Sequence, residues 1–366
     1  MKYIYLLFTI LSLQLSSCQN KEAMKKDVFK WQETTSCPPG YAVDVYQGGL
    51  RSSKGFTSLF LGVDTGEGGW GSGSSGMSYG EKTLPNHLHV IWVSYFKHKF
   101  YEIDTPIDYN KMVDLFNQGY YLVSENPDNP RLKRENYNKI IVGFAPGGVV
   151  VIWIAGLGRQ IEIGRYQGKE ITFSKEEVDA LPPGPNKNKH SIDYQNNIIY
   201  NWNIVSKEIV EQIKDKPIPY GLWDTYRKKY NWQVRFLFLH NEKIKDVIFR
   251  LCNGEKEELY GEANIEKYPN IPEFLRWENR KARAIPKLIA FGFTVDNAEY
   301  GCSMHLDEEE MMKAFERVLG NDPEAEVEIE IYVNTDRTRA TISLKCKGEE
   351  VGIFNSKVNI GKRRAL

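Results

Sequence analysis

The chain has 366 residues, with 48 Lys and Arg balanced by 48 Asp and Glu and a pI near 7.0. This neutrality excludes the strongly basic surface that is typical of proteins binding nucleic acid or anionic membranes, so we expect no nucleic-acid partner. Without the N-terminal signal described next, about 350 residues remain, which is long for one domain and sufficient for two.

The first residues have the features of a bacterial export signal. Lys2 supplies the positive charge, and the apolar run 3–15 is shorter than the roughly 20 residues that a transmembrane helix needs. Leu15-Ser16-Ser17-Cys18 follows and resembles the lipobox, in which the cysteine thiol receives diacylglycerol before cleavage frees its amine. Two or three acyl chains, at about 0.8 kcal/mol for each buried CH₂, anchor a protein stably. The sequence therefore predicts a signal peptide over residues 1–17 and lipidation of Cys18.

The residues after Cys18 bear on its destination. Gln19 stands where an Asp would favour retention in the inner membrane, so we expect the outer membrane. Residues 19–23 lack the acidic run of some surface-export signals, which favours the leaflet that faces the periplasm. Residues 19–35 are polar, and we interpret residues 18–37 as a lipidated tether.

Four further cysteines follow the lipidation site. The periplasm is oxidising, so one or two disulfides could form, and all three pairings stay open. None of these cysteines has the Cys-x-x-Cys or Cys/His spacing of a structural zinc site, and we expect no metal and no cofactor. They are Cys37, Cys252, Cys302 and Cys346.

The first half of the remaining chain alternates apolar strands with turns. A turn is expected at Gly48-Gly49, and an amphipathic helix over 108–118 begins after Asp108 and ends before Gly119. Strands are predicted at 41–47, 56–63, 87–101, 140–144, 149–155 and 160–166.

The second half repeats this order. Its helix begins at Asp307, and Glu310 three residues later forms a capping-box arrangement. The two helices align at one offset, which favours a diverged tandem duplication. The aligned residues are Asp108, Met112, Val113 and Phe116 with Asp307, Met311, Met312 and Phe315. Strands are predicted at 232–240, 245–251, 287–295, 326–333, 339–345 and 351–355.

This order of elements predicts the fold class. Antiparallel strands with one helix on a face indicate an α+β, mostly antiparallel β fold of two similar sheet-plus-helix units in tandem. The expected boundaries are residues 38–230 for the first unit with its linking region and 231–366 for the second. Within the linking region, residues 205–213 are a helix candidate, and the aromatic segment 222–230 is expected to pack where the units meet.

A glycine-rich segment between residues 66 and 80 contains Gly71-x-Gly73-x-x-Gly76, the string of a dinucleotide-binding fingerprint. That fingerprint requires a strand before it and a helix after it, and the Gly/Ser-rich composition with Pro85 soon after predicts no helix here. We therefore expect a mobile surface loop that exposes Trp70 as a contact for a partner.

Candidate catalytic and metal-binding residues are few. His87 and His89 share one face of a strand, whereas His98 has the opposite parity, and two histidines alone do not complete a metal site. Glu102 and Asp104 could form the carboxylate pair of a glycosidase, although acidic residues at strand ends are common. Signatures of nucleophilic catalysis are lacking, so we expect a protein that is not an enzyme and has no catalytic residues.

Several motifs together resemble the DUF2931 family of bacterial lipoproteins, over roughly residues 38–250. They are Leu84-Pro85 with His89-Val90-Ile91-Trp92, Lys99-Phe100-Tyr101, Gly143-Phe144-Ala145-Pro146-Gly147-Gly148 with Trp153, Ile161-Glu162-Ile163-Gly164, Leu222-Trp223-Asp224-x-Tyr226 and Tyr230-Asn231-Trp232. The family has no established activity, and the resemblance implies no catalytic residue. Some members resemble neighbours of type VI secretion effectors, which implies a role as periplasmic immunity proteins.

Two functions follow as expectations. The first is a membrane-anchored, non-catalytic protein-binding module, including an immunity protein whose partner is a toxin. The alternative is a glycan-binding or envelope-maintenance lipoprotein that uses exposed aromatic side chains such as Trp70, Trp92 or Trp153.

Overall fold

A computed structural model describes residues 25–74, 76–124, 131–296 and 298–363. The predicted signal peptide and Cys18 lie outside these residues. The described chain is built mostly from antiparallel strands with a few helices, which confirms the predicted α+β class. None of its described helices combines the length and the apolar character that crossing a membrane requires.

The first half contains thirteen strands and one long helix among its described residues. The strands are β1 (Val28–Ser36), β2 (Val43–Ser52), β3 (Gly55–Ser58), β4 (Val63–Asp64), β5 (Tyr79–Thr83), β6 (His87–Ser94), β7 (Lys99–Pro106), β8 (Tyr120–Ser124), β9 (Arg131–Glu135), β10 (Lys139–Ala145), β11 (Val149–Gly156), β12 (Arg159–Gln167) and β13 (Lys169–Ile171), and the helix is α1 (Tyr109–Gln118).

A linking segment of short helices leads to the second half. Its helices are α2 (Lys175–Ala180), α3 (Pro185–Asn188), α4 (Ile192–Asn196), α5 (Lys207–Ile213) and α6 (Leu222–Thr225). The second half then contains β14 (Tyr230–Leu237), β15 (Lys243–Leu251), β16 (Lys256–Tyr260), α7 (Glu262–Lys267), β17 (Lys281–Arg283), β18 (Pro286–Val295), β19 (Ala298–His305), α8 (Glu308–Leu319), β20 (Val327–Val333), β21 (Ala340–Cys346), β22 (Glu349–Ile353) and β23 (Lys357–Lys362).

Each half contains two five-stranded arrangements with the same strand order; in the first half β4 also pairs with β2, and β8 and β9 form a separate two-stranded sheet. In the first half the orders are β5-β1-β10-β11-β12 and β3-β2-β6-β7-β13. In the second half they are β17-β14-β20-β21-β22 and β16-β15-β18-β19-β23. The parallel pair also recurs, because β1 runs parallel to β10 and β14 runs parallel to β20. This common connectivity supports the predicted repeat of one unit in both halves. That the repeat arose by tandem duplication stays a prediction.

One sheet joins the two halves. The edge strand β12 of the first half pairs with the edge strand β16 of the second through Gln160 and Lys256, which produces a continuous ten-stranded sheet among the described residues. Functional clefts often form where two units meet, so this seam is a natural place to search for a site.

The middle of this sheet is buried on both faces. Ile140, Val142 and Phe144 of β10 belong to the core of the first half, whereas Ile141 and Ala145 of the same strand belong to the core of the second. A strand between two cores needs apolar side chains at consecutive positions, which explains the continuous apolar runs of β10 and β11.

The predicted tether is shorter than expected, because residues 28–36 form β1, an inner strand of the ten-stranded sheet. Phe29, Trp31 and Glu33 alternate toward the interior and are buried. The charged Glu33 in this pattern concealed the strand from sequence reasoning, since a carboxylate is rarely placed at a core position.

Other local predictions are wrong as well. The single strand predicted at 56–63 is two short strands, β3 and β4, with no strand between them in the described chain. Gly48 and Gly49 lie inside β2 and not in a turn, because carbonyl oxygens of the flanking strands β6 and β3 lie where a Cβ at either position would stand. The single strand predicted at 87–101 is two strands, β6 and β7, separated by a turn in which His98 adopts a positive φ of 55°.

The two long helices are as predicted. Asp108 accepts a hydrogen bond from the Lys111 backbone N–H at 3.0 Å, and Asp307 accepts one from Glu310 at 2.8 Å. The expected second bond of the capping box is replaced, because the Glu310 carboxylate accepts the backbone N–H groups of Phe354 and Asn355.

The aromatic segment at the end of the linking region packs between the halves, as expected. Trp223 is buried in the core of the second half. On the next residue, the Asp224 carboxylate pairs with Arg165 of β12 at 2.8 Å. Tyr226 then donates a hydrogen bond to Glu308 of α8.

All four cysteines of the described chain are buried free thiols. The one or two disulfides that the sequence left open are therefore not present among them. Burial raises the pKa of Cys37, and the nearby Asp64 raises it further. Such thiols behave as small apolar side chains in the core.

Candidate functional site

The glycine-rich segment is held against the protein by buried residues, although others in it, such as Glu67 and Met77, are exposed. Trp70 is only 4% exposed, and its ring meets that of Trp153 edge to face with 4.9 Å between the centroids. The expectation that Trp70 is exposed is therefore wrong, while its contact with a partner stays a prediction. Composition indicated a loop correctly, but it could not show which buried groups the loop would bind.

Buried carboxylates and hydroxyls hold this segment along β1. Asp64 accepts the backbone N–H of Gly66 at 3.0 Å and the Thr35 hydroxyl at 3.0 Å. Farther along, Ser36 Oγ accepts the N–H of Gly71 at 3.1 Å, and Glu33 Oε1 accepts that of Ser78 at 2.9 Å. The backbone groups of an irregular segment thus find internal partners, as buried polar groups must.

The segment also reaches the second half. Gln160 of β12 donates its amide hydrogens to the carbonyl oxygens of Gly71 at 2.7 Å and Gly254 at 2.6 Å. The Trp153 indole donates to the Asn253 carbonyl at 3.0 Å, and Lys287 donates to the Trp70 carbonyl at 3.0 Å. These bonds join the glycine-rich segment, β12 and the turn between β15 and β16.

The predicted histidine and carboxylate pairs meet across β6 and β7. His87 forms an ion pair with Asp104, and His89 Nε2 lies 3.4 Å from Glu102. The hydrogen bond from His87 lowers the pKa of Asp104. Arg51 occupies the other ring nitrogen of His89 at 2.8 Å.

No group of three or more His, Cys, Asp or Glu in the described ranges is arranged to hold a metal. His98, with the opposite parity in the sequence, bonds Gln195 at 2.8 Å, away from this pair. The histidine–carboxylate group therefore forms a charged surface network of the sheet, with Asp104 56% and Glu102 42% exposed.

A cleft of about 410 Å³ lies at the seam between the halves. Residues 70–73 of the glycine-rich segment form one wall, and the ten-stranded sheet forms another. Five lining residues are direct cross-strand neighbours along a single row of that sheet, each paired in register with the next. In order they are Lys139, Ala155, Gln160, Lys256 and Arg250.

The cleft has an excess of positive charge in a protein that is neutral overall. Lys139, Lys256 and Arg250 line it together with Lys287, whereas Glu255 is the one carboxylate among the lining residues. Glu255 is already engaged, because its Oε2 accepts a hydrogen bond from Asn253 at 3.0 Å and lies 3.4 Å from the Lys229 ammonium. In the part of the chain that the structure describes, Lys139, Lys256 and Arg250 form no ion pair.

These cations affect one another. Burial lowers the pKa of Lys256 and the positive charge of Arg250 lowers it further, while the negative charge of Glu258 partly opposes both. Like charges held close together are unfavourable unless an anion neutralises them, so the arrangement suits an anionic ligand. Its lining includes lysine, arginine and amide groups, and these are donors for hydrogen bonds to oxygen anions.

Sequence reasoning missed this cleft. Arg250 and Lys256 lie on the consecutive strands β15 and β16, but Lys139 of β10 comes from the first half of the chain and joins them only in the folded sheet. The one signal available was the glycine-rich segment itself, which sequence reasoning placed in solvent and not at the wall of a cleft.

Comparison with known families finds one match. The model of a family described as "Protein of unknown function (DUF2931)" matches residues 17–221, which cover the first unit and most of the linking segment. No curated protein and no solved structure matches the chain.

Proposed function

The chain belongs to the DUF2931 family of proteins of unknown function, and we propose that it is a lipid-anchored bacterial lipoprotein. It binds a protein partner in the cleft between the two halves, which we call the seam cleft. Its role is non-catalytic. The partner is an envelope protein or a secreted toxin, and in the second case the protein acts as an immunity protein.

The proposed anchor is Cys18, in the outer membrane and in the leaflet that faces the periplasm. Residues 19–27 precede β1 and reach about 30 Å at full extension, so the anchor would keep the folded body close to the bilayer. Metabolic labelling with a fatty-acid probe tests this step: Cys18→Ala must abolish incorporation, and persistent label would overturn the anchor.

The observation that carries the binding function is the set of three cleft cations without ion-pair partners in the described chain. Lys139 and Arg250 are exposed and Lys256 is partly buried, so their charges are accessible and gain a counter-charge on binding. Arginine is also enriched at protein interfaces. The exposed Leu157 at the same cleft supplies an apolar contact.

Crosslinking in cells followed by pull-down of the anchored protein tests the proposal. We expect wild type to recover one partner and the double variant Lys256→Glu/Arg250→Glu to lose it. The matched control is Lys357→Glu, an exposed lysine on β23 of the same sheet, outside the residues lining the cleft. Equal recovery by the double variant would remove the cleft from the function.

A second test addresses the toxin partner. Deletion of the gene should sensitise cells to a competing strain, and the cleft variant should fail to restore protection. The glycan-binding alternative has lost the tryptophans on which it relied, since Trp70, Trp92 and Trp153 are all buried. Binding on a glycan array that a cleft variant does not change would restore it.

A further inference from the structure

The cleft cations are arranged in a line and not around a point. Lys139 on β10 and Arg250 on β15 are separated by four strand-to-strand steps along the row of cross-strand neighbours, with Lys256 one step from Arg250. Adjacent strands lie about 4.8 Å apart, so the backbone positions of Lys139 and Arg250 are roughly 19 Å apart. Cross-strand neighbours project to the same face of a sheet, so all three charges face the cleft side.

A line of this length selects the shape of the anion. A single carboxylate or phosphate would neutralise one end and leave the other without a counter-charge. An extended polypeptide places alternate side chains about 6.7 Å apart on one side, so about six residues span the row. Acidic side chains at alternate positions of such a segment would meet Lys139, Lys256 and Arg250 in turn.

The rest of the cleft also fits a peptide. Leu157, in the turn between β11 and β12, is 73% exposed at the cleft. An apolar side chain there can pack against a peptide but makes no favourable contact with an inorganic anion. The wall formed by residues 70–73 is held by Gln160 and Lys287, so the cleft is formed before a ligand arrives. A preformed site lowers the cost of ordering a flexible segment on binding.

We propose that the seam cleft binds an extended acidic segment of the partner, rich in Asp or Glu, laid across the strands from Lys139 to Arg250. This inference rests on the proposed function and names the chemistry of the partner. On this proposal the cleft binds several negative charges spread along a polypeptide, and not one small anion.

Fluorescence anisotropy on the full chain in detergent tests it, with fluorescein-labelled hexaglutamate as the probe and labelled hexaglutamine as the neutral control. We expect binding of hexaglutamate alone, weakened more than about tenfold when salt rises from about 50 to 300 mM. Lys139→Gln and Arg250→Gln, at opposite ends of the row, should each weaken it about fivefold. Lys357→Gln should leave it unchanged. An unaltered thermal midpoint in each variant excludes unfolding.

Several outcomes would overturn the proposal. Equal affinity for hexaglutamate and hexaglutamine would exclude charge recognition. Loss of binding with Arg250→Gln but not with Lys139→Gln would indicate a point site. Displacement of the peptide by inorganic phosphate at matched ionic strength, or binding of phosphatidylglycerol vesicles that the same variants abolish, would assign the cleft to phosphate or to lipid headgroups.

The two proposals fail separately. If cells lose partner capture with Lys256→Glu/Arg250→Glu while purified protein ignores hexaglutamate, the partner-binding function stands and the acidic-segment inference falls. If the peptide binds as expected while capture is unaffected by the variant, the inference about the cleft chemistry stands and the proposed cellular function falls.

Discussion

Gly71 packs directly against Gly254, backbone on backbone, where the glycine-rich segment meets the turn between β15 and β16. A Cβ at Gly71 would lie 2.5 Å from the Cα of Gly254. Both residues have positive φ angles, of 83° and 88°. The contact brings one wall of the cleft onto the second half of the protein, and it leaves no room for a side chain on either residue.

Gly71→Ala is expected to destabilise the protein by about 3 kcal/mol. A left-handed alanine costs roughly 1–2 kcal/mol, and the overlap with Gly254 adds roughly 1–3 kcal/mol of overpacking. The matched control is Gly62→Ala, because Gly62 has a φ of 89° but no atom within 4 Å of the place where a Cβ would stand. The control should lose about 1 kcal/mol, the cost of the left-handed backbone alone. Urea unfolding followed by tryptophan fluorescence measures both, and equal losses would contradict the close contact.

Lys189 and Asp44 form a buried ion pair that fixes the linking segment to β2. Their charged atoms are 3.0 Å apart, with 2% and 6% of the side chains exposed. Lys189→Met should lower the free energy of unfolding by about 3–5 kcal/mol, because it leaves the carboxylate buried without a cation. The double variant Asp44→Asn/Lys189→Met should recover much of this loss. A double variant as unstable as the single one would show that packing, and not charge, dominates.

The loss of stability caused by Lys189→Met should depend on pH. Burial raises the pKa of Asp44 even with Lys189 present, although the lysine opposes the shift. Without the lysine, the folded protein binds a proton at Asp44 more tightly than the unfolded chain does, so its stability rises as pH falls through the raised pKa. The difference between wild type and Lys189→Met in urea unfolding should therefore shrink from pH 8 to pH 5. A constant difference would argue against a buried carboxylate.

Glu33 has the opposite pH dependence. Burial acts to raise its pKa, but hydrogen bonds from Lys82 and Ser78 outweigh burial and lower the pKa below 4.5. Its contribution to stability is present above the unfolded pKa and is lost as pH falls through the lowered value. Glu33→Gln should cost roughly 1–3 kcal/mol at pH 7, and the difference from wild type should shrink below about pH 4.5. Glu67→Gln, a change at an exposed position of the glycine-rich segment, is the control and should leave the free energy of unfolding at pH 7 unchanged.

Glu257 of β16 forms ion pairs with three cations of different burial, which are Arg159, Lys281 and Arg283. Arg283 is 3% exposed and bonds the Glu257 carboxylate at 2.8 Å, whereas Lys281 contacts the same carboxylate with 39% of its side chain exposed. Arg283 also lies over the Trp232 ring at 5.2 Å. Arg283→Gln should cost about 3–5 kcal/mol, and Lys281→Gln less than about 1 kcal/mol. Equal losses in thermal or urea unfolding would mean that burial does not control these pairs.

The internal repeat extends to details that the sequence did not reveal. Trp31 of β1 donates its indole N–H to the Lys82 carbonyl, and Lys82 places its ammonium 3.8 Å from the Trp31 ring centre. In the second half, Trp232 of β14 donates to the Ala284 carbonyl and lies under Arg283. The helix alignment predicted the repeat. The contact of a tryptophan with a cation in each half arises only because β5 lies beside β1 and β17 lies beside β14 in the folded sheets.

Local patterns in the sequence determined the two capped helices, most of the apolar strands and the matching order of elements in both halves. These features depend on neighbours within a few residues, such as Asp108 with Lys111, so periodicity and capping rules suffice to predict them. Cys18 and the export signal are likewise predictions from local sequence.

Only the tertiary structure decided the strand at 28–36, the burial of Trp70 and the cleft. Glu33 resembles a loop residue until Lys82 and Ser78 approach it, and Trp70 resembles a surface residue until Trp153 covers it. The row from Lys139 to Arg250 exists because β12 pairs with β16 across the two halves. Such pairing is set by the global packing of the sheets, which composition and local periodicity do not predict.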